Sequence, residues 1–205
     1  MTGSEPTTDG PSETERQIME ATFRALCEHG YADLSIAKIA EKFDKSKSLL
    51  YYHYDSKDDL LAAFLGFAID HVLADLEAEA GEDPMASLHA LVDTALPPEP
   101  PGDAAQGQRA LTELRMQAVT DEAFRERMTR QDERLVTHVH ELLTQAADAG
   151  LVEDTDLDRA AEHVQATLAG GMFGRATTDR PEAAAAIRES LHDYLDGLCV
   201  PAEDD

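Results

Sequence analysis

Apolar residues recur along this chain three and four positions apart, the period of a helix with one buried face. Ile18, Ala21, Thr22, Ala25 and Leu26 set the pattern. Ser12 and Glu15 stand at capping-box spacing before them, and Gly30 is placed to close the helix. A second helix opens at Ser35, with Leu34 and Ile39 as a hydrophobic staple and Ile36, Ile39, Ala40 and Phe43 as its buried stripe. After a short turn at Asp44-Lys45, a third helix is predicted from about Ser46 to Tyr52. Ser56 caps a long fourth, with Asp58 and Asp59 in its first turn, reaching about Ala80. Asp83-Pro84 starts a fifth. Pro97-Pro98-Glu99-Pro100-Pro101-Gly102 breaks the chain, and further helices are expected near 105–119, 121–149, 156–174 and 181–198. No alternating β-branched run is long enough for a strand. The expected fold is all-α, with about nine helices. An acidic tail occupies 1–11, a three-helix N-terminal domain 12–56, a larger helical domain 57–200, and a second acidic tail 201–205.

Charge alters this picture. The 205 residues carry 42 acids against 17 bases, net −25. Such a chain should be repelled by polyanions. Yet residues 31–60 hold six acids and five bases, and all five lysines fall there: Lys38, Lys42, Lys45, Lys47 and Lys57. Elsewhere every basic residue is arginine. Contact with phosphate is a physical reason to keep lysine in one window. Excess acid with scarce lysine also suits a salt-rich cytoplasm, where charge repulsion is screened, and points to a halophile, most simply a haloarchaeon. No apolar stretch approaches membrane-spanning length and the N-terminus has no signal-peptide pattern, so a cytoplasmic location is expected. Cys27 and Cys199 lie in apolar helical patterns and read as buried free thiols.

Two short helices joined by a tight turn form the helix-turn-helix pattern, in which the second helix presents its N-terminal side chains to the major groove. Ser46, Lys47 and Ser48 open that helix with small or cationic groups, and Tyr51, Tyr52, His53 and Tyr54 follow. Tyrosine hydroxyls donate well to phosphate. Tyr51 and Tyr52 diverge by about 100° on a helix, so at least one is exposed. Leu50 and Tyr54 are expected in the core.

Over residues 13–65 the chain resembles the TetR family of transcriptional regulators. The resemblance rests on Ile36-Ala37-Lys38-Ile39-Ala40 and on Leu50-Tyr51-Tyr52-His53-Tyr54-Asp55-Ser56-Lys57-Asp58-Asp59-Leu60. It implies a phosphate-contacting cap at Ser35, a groove-facing set of Ser46, Lys47, Ser48, Leu49 and Tyr52, and phosphate contacts from Tyr51, His53 and Lys57; Lys45, in the turn, joins these DNA-binding candidates. The turn departs from the family's pattern, with Asp44 and Lys45 where glycine and a small apolar residue are usual. Residues 105–175 resemble BetI- or AcrR-type regulatory domains. The resemblance implies a homodimeric repressor on a palindromic double-stranded DNA operator, released by a small-molecule effector. Association through the last two helices would use Leu168, Gly171, Met172, Leu191, Tyr194, Leu195 and Leu198. His89, Met116, Gln117, His138, Gln165 and Phe173 are the effector-pocket candidates.

No cofactor is implied, and no catalytic residue or metal ligand is identified. There is no phosphate-binding glycine loop, nucleophile elbow or zinc spacing. His138 and His140 stand two apart, about 200° around a helix, which is wrong for a shared metal. The rival reading is a helical partner-binding protein that has lost sequence-specific DNA binding.

Overall fold

The computed structural model describes residues 12–43, 46–79, 83–99, 102–153 and 155–200. Among them are nine helices: α1 (Glu13–Asp33), α2 (Ile36–Glu41), α3 (Lys47–His53), α4 (Lys57–Glu79), α5 (Pro84–Ala95), α6 (Gly102–Gln117), α7 (Glu122–Asp148), α8 (Leu157–Thr177) and α9 (Pro181–Asp196). The only β-pairing among the described residues is an isolated antiparallel bridge, Val152 to Cys199. No described helix is long and apolar enough to cross a membrane. The acidic tails at 1–11 and 201–205 and the Asp44-Lys45 turn lie outside the described residues. The all-α expectation holds.

Two compact units divide between Phe64 and Leu65, inside α4. The boundary expected at 56 falls earlier than this. The first two turns of α4 belong with the first unit, because Phe64 stacks on Phe23 of α1 with ring centroids 6.2 Å apart.

The first unit is α1 to α3 plus the start of α4. Its capping box forms: Ser12 Oγ accepts from the Glu15 amide, and Glu15 Oε2 accepts from the Ser12 amide at 2.8 Å. These bonds, the Ser12 amide foremost, hold the Glu15 carboxyl below its ordinary range. The predicted face is buried, and Thr22 within it satisfies its hydroxyl by donating to Ile18 O at 2.8 Å. Gly30 breaks the helix at φ 67°, a conformation that favours glycine, and a further turn, Tyr31–Asp33, precedes extended Leu34. Leu34, Ile36, Ile39, Phe43 and Leu50 are all buried.

The second unit centres on α5, α7, α8 and α9. Leu88, Leu91, Val92 and Leu96 meet Val139, Leu142 and Leu143, with Ala160, Ala161, Val164 and Leu168 of α8 and Leu191 and Leu195 of α9. The residues of the association stripe expected from sequence lie in and around this core. Leu168, Gly171, Leu191 and Leu195 are buried within the chain itself, and Met172, Tyr194 and Leu198 are half-buried against the same core. A Cβ at Gly171 would stand 2.9 Å from Leu96 Cδ1 and 3.2 Å from Ile187 Cγ2, so this glycine serves close packing inside the unit. Arg175 donates to Pro97 O at 2.9 Å and Gln108 donates to Ala95 O at 2.8 Å, which ties the segment after α5 to α8 and α6. Burial lowers the Arg175 guanidinium pKa.

Candidate nucleic-acid interface

Ser35 is extended (φ −143°, ψ 159°), and its Oγ accepts from the Lys38 amide, which starts α2. Ile36 and Ile39 fix α2 on the core and leave Ala37 exposed. Extended Ser46 then opens α3. That helix is seven residues long, and Leu50 is its one buried side chain. A single apolar anchor turns the remaining faces outward. Ser46, Lys47, Ser48, Tyr51 and Tyr52 are exposed, and Leu49 and His53 are half-buried.

Both adjacent tyrosines are exposed. Tyr51 is 53% exposed and Tyr52 83%. An aromatic ring so open to water is poorly used by the fold and well placed for a partner. Lys47 Nζ stands 5.7 Å from the Tyr51 ring centroid, within cation–π range. The Ser46 and Ser48 hydroxyls share a hydrogen bond of 3.0 Å. His53 meets Tyr52 edge-on at 5.4 Å, in the last turn of α3, where the helix dipole favours a cation. Tyr54 is half-buried behind them. Burial and then the carboxylates of Glu15 and Asp59 push its phenol up to about 12.

The lysine window divides by role. Lys38 donates to Asp33 O at 2.8 Å, and Lys42 pairs with Glu28 at 2.5 Å. That contact holds the Glu28 carboxyl below its ordinary range. Lys57 donates to Tyr31 O at 3.3 Å and lies 4.1 Å from the Tyr31 ring centroid, so it is turned to its own domain. Lys47 is the described lysine exposed on α3. Lys45 lies outside the described residues.

The pocket candidates are scattered by environment. Gln165 is buried; Met116 and Phe173 are exposed; Gln117 and His138 are half-buried. His89 is turned to α9, with its Nδ1 2.6 Å from His192 Nδ1. A residue outside that set stands out instead. Gln131 is 7% exposed, its Oε1 has no hydrogen-bond partner among the described residues, and its Nε2 lies 3.4 Å from where a Cβ at Gly66 would be. An unpaired buried acceptor costs about 1–3 kcal/mol. The clue was in the sequence: Phe124, Met128, Gln131, Leu135 and Val139 form the apolar stripe of α7, and Gln131 is its polar member.

Comparison with known proteins places both units. The model described as "Bacterial regulatory proteins, tetR family" matches residues 18–64, and the one described as "BetI-type transcriptional repressor, C-terminal" matches 84–200. The HTH-type transcriptional regulator BetI of Stenotrophomonas maltophilia is 36% identical over 84 residues, 38% of this chain and 41% of that protein. TtgR of Pseudomonas putida is 32% identical over 89 residues, 42% of each. These matches therefore span about two-fifths of the curated relatives. Among solved structures, a TetR transcription regulator from Haloarcula marismortui is 33% identical with TM-score 0.80, covering 93% of this chain and all (100%) of that one. A putative regulator from Saccharomonospora viridis, in complex with choline, shares the fold at 22% identity and TM-score 0.75, covering 93% of this chain and 100% of its own.

Proposed function

This chain belongs to the TetR family of transcriptional regulators, with a BetI-type C-terminal part, and on that premise we propose that it represses transcription as a homodimer on a palindromic operator and leaves the DNA when a small molecule binds its second unit. The observation that carries the reading is the outward face of α3, above all Tyr52, with Ser46, Lys47, Ser48 and Tyr51 around it. Tyr52, Leu49 and the two serines meet base edges and the thymine methyl; Lys47, Tyr51 and His53 meet phosphate. Ser35 adds a hydroxyl donor at the start of α2. The regulator works in the cytoplasm, with the DNA it reads, and has no catalytic role.

Two partner assignments complete this reading. The association surface is the outer side of α8, where a Cβ at Gly170 or Gly174 would meet nothing within 4 Å and Phe173 is 45% exposed. Small residues there allow close helix approach. The effector is read by Gln131, whose free acceptor suits a ligand bearing a hydrogen-bond donor, with Gln165 as a second buried amide. Such a ligand releases DNA only by binding the non-DNA conformation better, and a coupling of about 1–3 kcal/mol gives about 5–150-fold.

The test is fluorescence anisotropy of the full chain on its own upstream DNA in potassium chloride from about 0.5 to about 3 M, against scrambled DNA. Saturable preference for the upstream sequence is expected. Equal binding to both, followed by failure to enrich any genomic site, would replace this function with that of a partner-binding helical protein.

A further inference from the structure

A side-chain cluster joins α5 to α9. His89 Nδ1 and His192 Nδ1 are 2.6 Å apart, with the rings within 14° of parallel and their centroids 4.9 Å apart. The outer nitrogen of each ring meets a carboxylate: His192 Nε2 lies 3.0 Å from Asp93 Oδ1, and His89 Nε2 lies 3.2 Å from Asp196 Oδ1. Arg188 Nε donates to the same Asp93 oxygen at 2.6 Å. The histidine side chains are 27% and 21% exposed, so water can replace only part of this network.

We propose that His89 and His192 form a proton-binding clasp that locks α9 to α5 only when the pair holds three ring protons between its four nitrogens. Each Nε2 faces an acceptor and therefore carries hydrogen. A contact of 2.6 Å between the two Nδ1 atoms needs one N–H and one lone pair. Three protons satisfy every contact and give the pair one positive charge. With Arg188 this balances Asp93 and Asp196. A fourth proton sets N–H against N–H. With only two, either the central contact pits lone pair against lone pair or one outer nitrogen turns a bare lone pair to a carboxylate. The clasp therefore loosens on both sides of one protonation state. Histidine is the side chain whose proton exchange falls in the physiological range.

The neighbouring groups are otherwise engaged or exposed. Asp83 accepts from the Met85 and Ala86 amides as the cap of α5. The Cys199 thiol is pushed up by burial, then by Asp196 and Asp83. Burial pushes the Asp93 carboxyl up, and the bonds from His192 and Arg188 outweigh it and hold the group below its ordinary range. His163 of α8 lies against Tyr194, whose phenol is raised by burial. His140 of α7 faces Asp158 of α8 at 3.3 Å. Glu189 and Asp193 of α9 are exposed.

Ring-nitrogen NMR of the histidine-labelled full chain in high potassium chloride, from about pH 5 to about pH 9, reads the proton count directly. One hydrogen shared between the two Nδ1 atoms is expected where the chain is most stable, with both Nε2 atoms protonated. Melting temperature over the same range is compared for the unmodified chain, His89→Gln, His192→Gln and the double variant. The unmodified chain is expected to pass through a maximum within this range. Each single variant loses that peak, and the double variant loses no more. Independent titration of the two rings, or a difference profile flat across the range, would overturn the clasp. The NMR arm decides even if a variant fails to fold.

Discussion

At the scale of single residues, two neighbours on α3 separate stability from recognition. Leu50 is fully buried and Tyr52 is 83% exposed. Leu50→Ala removes the anchor of α3 and should cost about 2–5 kcal/mol in a denaturation experiment. Tyr52→Ala should leave the melting temperature unchanged and weaken operator binding by about 1–3 kcal/mol, roughly 5–150-fold in the anisotropy titration. Equal effects on both measurements would mean that Tyr52 supports the fold. Tyr54 gives a pH prediction with a definite sign. Its folded pKa is raised from the ordinary 10.0 to about 12, so its contribution is complete below pH 10.0 and lost as pH rises towards about 12. Denaturation across that alkaline range should show the loss in the unmodified chain and a smaller one in Tyr54→Phe.

At the scale of elements, boundaries were legible where capping chemistry is local. Ser12, Ser35, Ser56 and Asp83, where the sequence opens helices, each accept a backbone amide of the first turn. The direction of packing was less legible. The stripe Leu191, Tyr194, Leu195, Leu198 announces an apolar face but not whether it meets the same chain or a second copy. In the structure it meets α8 and α5. The lysines' intrachain partners were hidden for a similar reason, since a cation's partner depends on the fold: Asp33 O, Glu28 and Tyr31 O take up Lys38, Lys42 and Lys57. Gly171 tests this packing. Leu96 is fully buried and cannot swing aside freely, so Gly171→Ala should destabilise the second unit by about 1–3 kcal/mol in urea titration. Gly170→Ala meets nothing within its own chain and should leave that packing intact, so any loss it causes should depend on protein concentration, as a weakened dimer requires.

At the scale of the whole molecule, charge governs behaviour. Residues 61–205 carry 30 acids against 10 bases, while residues 31–60 are nearly neutral. Repulsion among the acids is long-ranged at low salt and shrinks to about 3 Å of reach near 1 M. Stability measured by thermal melting should therefore rise with potassium chloride. Operator affinity should fall less steeply with salt than phosphate neutralisation alone dictates, because screening also relieves repulsion between the acidic body and the DNA. A conventional steep decline would place the acidic surface out of the DNA's reach.

The small bridge after α9 has its own consequence. Val200 N–H donates to Leu151 O and Glu153 N–H donates to Leu198 O, both at 2.9 Å, around the Val152–Cys199 pair. The hairpin of α8 and α9 is thereby fastened at its open end into a ring held by hydrogen bonds. A ring of this kind resists fraying from the chain terminus, because α9 cannot peel away until the fastening opens. For anyone attaching a fluorophore or a surface tether, Val200 is thus a fixed post, and cutting the chain before Leu198 would turn a closed loop into a loose strip.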